Sequence, residues 1–256
     1  MKITILVDNT KGICPAEHGF SALVEGDEKV LFDTGASDLF LKNAKQLGVD
    51  LNDVKIVALS HGHYDHGDGL HYMKDKTLIC HPGCFGRERH DKEGFNGMFL
   101  SLKEAQSKFD VKASKEPYWI SDSIVFLGEI PRENDFENQE APYFFLDGSP
   151  DFIIDDSALA IKTDKGLVII TGCGHSGLCN TIEYSKKVTG INKIYAVLGG
   201  FHLRKINDVM GKTFEYLKNE NINYLYTGHC TIPEIQDKMV DELGAIKLES
   251  GIIINF

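Results

Sequence analysis

Apolar and polar positions along the chain follow two periods. KITILVD (2–8) and GFSALVEGDEKVLFDTG (19–35) have strand character, with EGDEK as a hairpin turn inside the second. DVKIVALS (53–60) is a continuous, β-branched-rich run, as expected of a strand buried on both faces. DKTLICH (75–81), SIVFLGEIP (123–131), ALAIKTDKGLVIITG (158–172), INKIYAVLGG (191–200), INYLYTG (222–228) and AIKLESGIIINF (245–256) are further strand patterns. Between them the spacing turns helical. In ASDLFLKNAKQLGVD (36–50), Leu39, Phe40, Ala44 and Leu47 recur near helical intervals and a glycine ends the run. FLSLKEAQSKF (99–109), CNTIEYSKKVTG (179–190), DVMGKTFEYLKNEN (208–221) and TIPEIQDKMVDELG (231–244) are also helical.

Strands interleaved with helices to the last residues predict a layered α/β protein. No low-complexity linker or charge block divides the 256 residues, so one domain over 1–256 is expected, with a polar, irregular lid or insert at about 84–117. The 42% hydrophobic and 25% charged content is that of an ordinary globular protein. The net charge of −11 argues against general nucleic-acid binding, which sets cations against phosphates. The first residues are too short an apolar run for a signal peptide, and no stretch suits a membrane span. The six cysteines include no CxxC pair; they are expected as reduced, mostly buried thiols of a cytoplasmic protein.

Chemistry enters at SHGHYDHGDGL (60–70), where three of the ten histidines fall together with two aspartates. Imidazole nitrogen and carboxylate oxygen are the donors zinc and related ions take. In an extended or turning backbone His61 and His63 can face one ion, leaving Asp65 and His66 to reach a second. Gly62, Gly67 and Gly69 ease the bends. A catalytic site needs more ligands than one loop supplies. His175 in TGCGHSG, His202 in LGGFHL and His229 in YTGHCT each follow a predicted strand, where open α/β sheets place their sites.

HGHYDH fits the HxHxDH signature of the metallo-β-lactamase superfamily, and the order LFDTG, motif, His175, His229 follows the same family pattern, so the chain resembles that superfamily over nearly its whole length. The resemblance implies an αββα sandwich with a metal cleft at one edge of the sheets. It implies a first metal on His61, His63 and His175, and a second on Asp65, His66 and His229. Asp33 would support the motif loop from behind. One departure stands out. Most hydrolytic members bridge the metals with an aspartate after the strand that follows the third-histidine helix, and here that place reads AVLGGFHL. His202 is the nearest candidate, with Asp155 and Asp156 as alternatives. The blocks LGEIPR, DDSALAI, TGCGHSGLCNTI, GGFHL and TGHCT resemble the branch that includes the archaeal dihydropterin–aminobenzene ribofuranosyl phosphate synthases.

The implied activity is a hydrolase: a metal-activated hydroxide, oriented by Asp65, attacks a phosphoester or ester. The alternatives are a transferase joining a dihydropterin-methyl diphosphate to an aminobenzene ribofuranosyl phosphate-like acceptor, and a metal-dependent ligand sensor. Zinc, one or two ions per chain, is the leading cofactor, with manganese or iron as alternatives. An anionic small-molecule substrate would need local cations, for which Arg87 and Arg132 are candidates.

Overall fold

The computed structural model describes residues 1–85, 89–141 and 143–256. Two seven-stranded sheets form its centre. Across the first run Ile253–Asn255, Lys2–Val7, Ser21–Glu25, Lys29–Phe32, Ile56–Leu59, Lys76–Cys80 and Phe109–Ala113. Across the second run Ile246–Lys247, Tyr224–Thr227, Ile194–Gly199, Gly166–Thr171, Ala158–Thr163, Ile124–Phe126 and Tyr118–Trp119. The closing apolar segment thus splits, giving one short strand to an edge of each sheet.

Side-chain alternation explains the layering. Ala22 and Val24 join Val168 and Ile170 in the core between the sheets. Their alternating neighbours point outward: Leu23 and Leu31 pack with Phe40 and Ala44 of helix Leu39–Gln46. On the other side Leu167 and Ile169 pack with Leu178, Phe214 and Ile235 of three helices. Each sheet buries both faces, so its strands carry continuous apolar runs instead of a solvated alternate face. The result is the αββα sandwich.

Strand direction places the site. Lys29–Phe32, Ile56–Leu59, Lys76–Cys80 and Phe109–Ala113 pair in parallel. So do Gly166–Thr171, Ile194–Gly199, Tyr224–Thr227 and Ile246–Lys247. Asp33, Ser60, Gly172, Gly200 and Gly228 therefore begin loops at the carboxyl ends of parallel strands, where a layered α/β sheet exposes its loops to a common crevice.

A smaller antiparallel sheet, Pro150–Asp151, Tyr143–Phe145, Arg89–Asp91 and Gly94–Phe95, lies against the motif loop. It occupies part of the segment expected as an insert. The Met98 N–H donates to the Gly62 carbonyl at 3.0 Å, and His63 forms an isolated bridge with Gly97. The helix expected near 99–109 forms over Leu102–Lys108, begun by a reciprocal Ser101–Glu104 capping box.

Candidate metal centre

The motif loop is fastened from below by Asp33. Its carboxylate accepts from the Ser60 N–H and the Ser60 hydroxyl, both at 2.7 Å, and lies 2.7 Å from His66 Nδ1. Ser60 Oγ is 2.9 Å from His61 Nδ1, so Asp33 and Ser60 together fix both imidazoles. Asp155 accepts from the Gly62 N–H at 2.9 Å and is bound by the fully buried Arg89, which also donates to Asp151 at 2.7 Å. Arg89 holds the Asp155 carboxyl below the usual range against the opposing effect of burial. Asp156 accepts from the Ser176 N–H at 2.7 Å and so positions the His175 loop. Burial raises its pKa to about 6. Both aspartates act as supports behind the ligand loops, which removes them as candidates for the bridging place.

His175 precedes helix Leu178–Thr189. Glu137 accepts from the Cys179 and Asn180 N–H groups at 2.9 and 3.0 Å, satisfying donors at that helix's N-terminus. His229 is set by Asp8, which accepts its N–H at 2.9 Å, and by Asn9 Oδ1, 3.0 Å from Nδ1. Asp33, His202 and His229 all hold left-handed backbone, with φ of 57°, 47° and 45°. Such strain in residues other than glycine persists where surroundings over-determine it and gathers at functional sites.

These supports bring two donor sets together. Donor nitrogens of His61, His63 and His175 lie within 4.8 Å of one another; His61 Nε2 and His63 Nδ1 are 2.9 Å apart. His175 Nε2 and His63 Nε2 are buried with no hydrogen-bond partner. A buried orphan nitrogen costs free energy unless a ligand satisfies it. In the second set His66 Nε2 lies 3.0 Å from His229 Nε2, and Asp65 Oδ2 lies 3.6 and 3.4 Å from the two. Two imidazole-rich sets with orphaned nitrogens fit a metal centre.

Electrostatics agree with that donor set. Burial, then neighbouring positive charge, pushes His61, His63, His175 and His229 well below the ordinary histidine range, leaving neutral rings able to ligate. His66 differs: burial lowers it, but Asp65 and Asp33 outweigh burial and hold it at about 9.

The other sequence candidates fall elsewhere. His202 packs its ring 4.3 Å from that of His175, and its Nε2 is 3.3 Å from the Tyr143 hydroxyl. Among the described residues it joins no tight donor cluster. The Arg132 guanidinium donates to the Phe152 and Ile153 carbonyls at 2.6 and 3.0 Å, so it serves as a structural clamp and not as a substrate arginine. Arg87 lies outside the described residues.

Three site residues had no sequence signal of their own. Cys173 Sγ lies 3.2 Å from both His66 Nε2 and His229 Nε2. Burial, then Cys230 beside it, pushes its thiol pKa up; a coordinating thiol is nevertheless deprotonated outright by its cation. His18, its side chain 59% exposed, reaches Asp65 Oδ2 at 3.3 Å. Tyr143 places its ring 4.9 Å from that of His63. Cys173 stands two residues before a predicted ligand, but like His18 and Tyr143 it enters the site only by folding.

The αββα fold, with both donor sets on loops at strand ends, defines the class. The family model for the metallo-beta-lactamase superfamily matches residues 15–188, and the chain belongs to that superfamily. It is 32% identical over 266 residues to the 7,8-dihydropterin-6-methyl-4-(beta-D-ribofuranosyl)-aminobenzene-5'-phosphate synthase of Methanocaldococcus jannaschii, covering 94% of this chain and 90% of that protein. It is 36% identical over 241 residues to the uncharacterized protein MJ0448 of the same organism, covering 90% of each. Among solved structures, Tm1679, named a metal-dependent hydrolase of the beta-lactamase superfamily, superposes with a TM-score of 0.89 at 31% identity, covering 100% of this chain and 99% of that one. Zn(2+)-bound PqqB from Methylobacterium extorquens, at 13% identity and a TM-score of 0.60 over the full length of both chains, shares the fold. Among the described residues no helix is long and apolar enough to cross a membrane.

Proposed function

We propose that the protein is a metal-dependent hydrolase of a small anionic phosphoester or ester. The observation that carries this reading is a pair of adjacent buried donor sets, one of them including the buried carboxylate of Asp65. His61, His63 and His175 would hold one ion; Asp65, His66 and His229 would hold the second. Zinc suits this donor set best, with manganese or iron next. Bound there, the ions supply Lewis acidity toward water and toward the substrate's phosphoryl or carbonyl oxygen.

The chain's own groups do the rest. The Asp65 carboxylate orients the attacking water, and its oxygen not given to the ion accepts the proton as the water oxygen bonds to phosphorus or carbon. The bond to the leaving oxygen then breaks, and the proton passes on to that oxygen. His18, partly exposed beside Asp65, links this carboxylate to solvent. The Tyr143 hydroxyl, whose pKa burial raises, stays protonated and donates to a substrate oxygen. Asp33 and Ser60 hold the imidazoles in register throughout.

A second reading is favoured by the synthase relative, 32% identical over nearly the full chain. In it the same centre would bind a diphosphate leaving group while the aminobenzene nitrogen attacks the methylene, the C–N bond forming as the C–O bond to diphosphate breaks and the nitrogen's proton passing to solvent. One assay separates the two. Protein reconstituted with zinc, manganese or iron is offered an activated phosphodiester and an activated ester, each alone. Turnover that falls about 10²–10⁴-fold in Asp65→Asn supports the hydrolase. No turnover alone, but product formation from a dihydropterin-methyl diphosphate plus an aminobenzene acceptor, replaces it with the transferase.

A further inference from the structure

The loop that would carry a bridging aspartate in this fold cannot supply one here. It begins Gly199-Gly200-Phe201. A Cβ on Gly199 would stand 2.1 Å from the Thr171 carbonyl oxygen, and one on Gly200 would stand 2.6 Å from both Cys230 Sγ and the Gly172 carbonyl oxygen. His202, further along, is turned toward Tyr143. The space is already taken by sulfur and backbone.

Cys173 fills the functional gap from the loop after another strand, Gly166–Thr171. Its Sγ is 3.2 Å from His66 Nε2 and 3.2 Å from His229 Nε2, and those nitrogens are 3.0 Å apart. Asp65 Oδ2 closes the group at 3.4 and 3.6 Å from the same nitrogens. Ligand bonds of about 2.0–2.3 Å in a tetrahedron imply edges of about 3.3–3.6 Å between donors, close to these separations. Cys173 Sγ also lies within 4.8 Å of donor nitrogens of both His61 and His66, so it faces the first donor set as well as the second. In the first donor set, His175 Nε2 and His63 Nε2 are buried without a partner, an independent sign that the centre takes a ligand.

We propose that Cys173 is a metal ligand, its thiolate occupying the bridging place between the two donor sets. The inference rests on the metal-centre reading above. As sulfur bonds to the ions, the S–H proton leaves to solvent, and the site gains the single negative charge that an aspartate would have brought. A thiolate in that place biases the centre toward softer ions such as zinc or cobalt over magnesium or manganese.

The test is optical and does not depend on activity. The full chain, stripped of metal under reducing conditions, is titrated with cobalt(II) while absorbance and bound cobalt per chain are recorded. The expected result is two cobalt ions and a near-ultraviolet sulfur-to-cobalt charge-transfer band. Cys173→Ser and Cys173→Ala should lose the band and weaken the second ion at least tenfold. Cys173→Asp should recover two ions without the band, and Cys230→Ala should keep it. Two cobalt ions in the wild-type protein with no band would overturn the thiolate while leaving the metal centre intact. A band that survives Cys173→Ala and vanishes in Cys230→Ala would transfer the role to Cys230 and overturn it as well. No bound cobalt at all would overturn both this proposal and the centre on which the proposed function rests. Because the wild-type spectrum alone can refute the idea, a variant that fails to fold does not shield it.

Discussion

Asp33 makes no contact with the orphaned nitrogens, yet its carboxylate sets two of the rings around them. It binds His66 directly and His61 through Ser60, from a left-handed backbone that aspartate tolerates better than most residues other than glycine. Asp33→Ala should therefore lower metal affinity about 10–100-fold, the usual effect of removing a partner behind a ligating histidine. Competition against a chromophoric chelator measures this, and unchanged affinity would mean that packing alone orients the rings. The histidines of HGHYDH could be picked out from sequence because a local motif concentrates donors that chance would scatter. Cys173, His18 and Tyr143 could not, because their relevance arises from convergence across 107, 47 and 80 residues of chain toward the motif residues His66, Asp65 and His63. A buried thiol looks the same in sequence whether it packs against leucine or against two imidazoles.

At the scale of elements, the motif loop is clamped between the main sheet and the small antiparallel sheet. Arg89, on a three-residue strand, ties Asp151 of that small sheet to Asp155, which in turn holds the Gly62 N–H. Arg89→Ala would leave two buried carboxylates without their cation. Breaking a buried pair in this way costs about 3–5 kcal/mol, so a large drop in urea midpoint is expected. A cost under about 1 kcal/mol would show that water replaces the guanidinium there. Gly62 also packs against the backbone at Cys84: a Cβ would lie 2.1 Å from the Cys84 carbonyl oxygen, which cannot swing away. Gly62→Ala should thus destabilise by about 1–3 kcal/mol and lower metal affinity together, a coupling that calorimetry with and without zinc would detect. A fall in stability with affinity unchanged would separate that packing from the site. The long strands and helices were legible because each sheet buries both faces and so imposes unbroken apolar runs. The small sheet was not, since its strands of two or three residues are too short to show a period and are tied in place by Arg89 and its two aspartates.

For the whole molecule, the same buried rings that suit metal make the metal-free protein sensitive to acid. His61, His63, His175 and His229 are held below the ordinary range, chiefly by burial, whereas in the unfolded chain each titrates near about 6.5. Below that value the unfolded chain takes up protons that the folded rings refuse, so stability falls by up to about 1.4 kcal/mol per pH unit per ring. Four groups act in the opposite sense. His66, held at about 9, contributes stability that is complete below the unfolded value and is lost as pH rises through about 9. Asp8, Asp68 and Asp156, raised by burial to about 7, about 6 and about 6, contribute less as pH climbs from the unfolded carboxyl value near about 4 toward those figures. Four rings outweigh these terms between pH 7 and 5, so the urea midpoint of chelator-treated protein should fall across that window. Bound metal should raise the midpoint at pH 7 and lose its effect toward pH 5, because ligation requires the unprotonated imidazole. The order of the two curves is the decisive feature. Converging curves identify the rings as both the acid-sensitive groups and the ligands. Parallel curves, with metal stabilising equally at pH 5 and pH 7, would place the ion on oxygen donors and away from the histidines gathered at these strand ends.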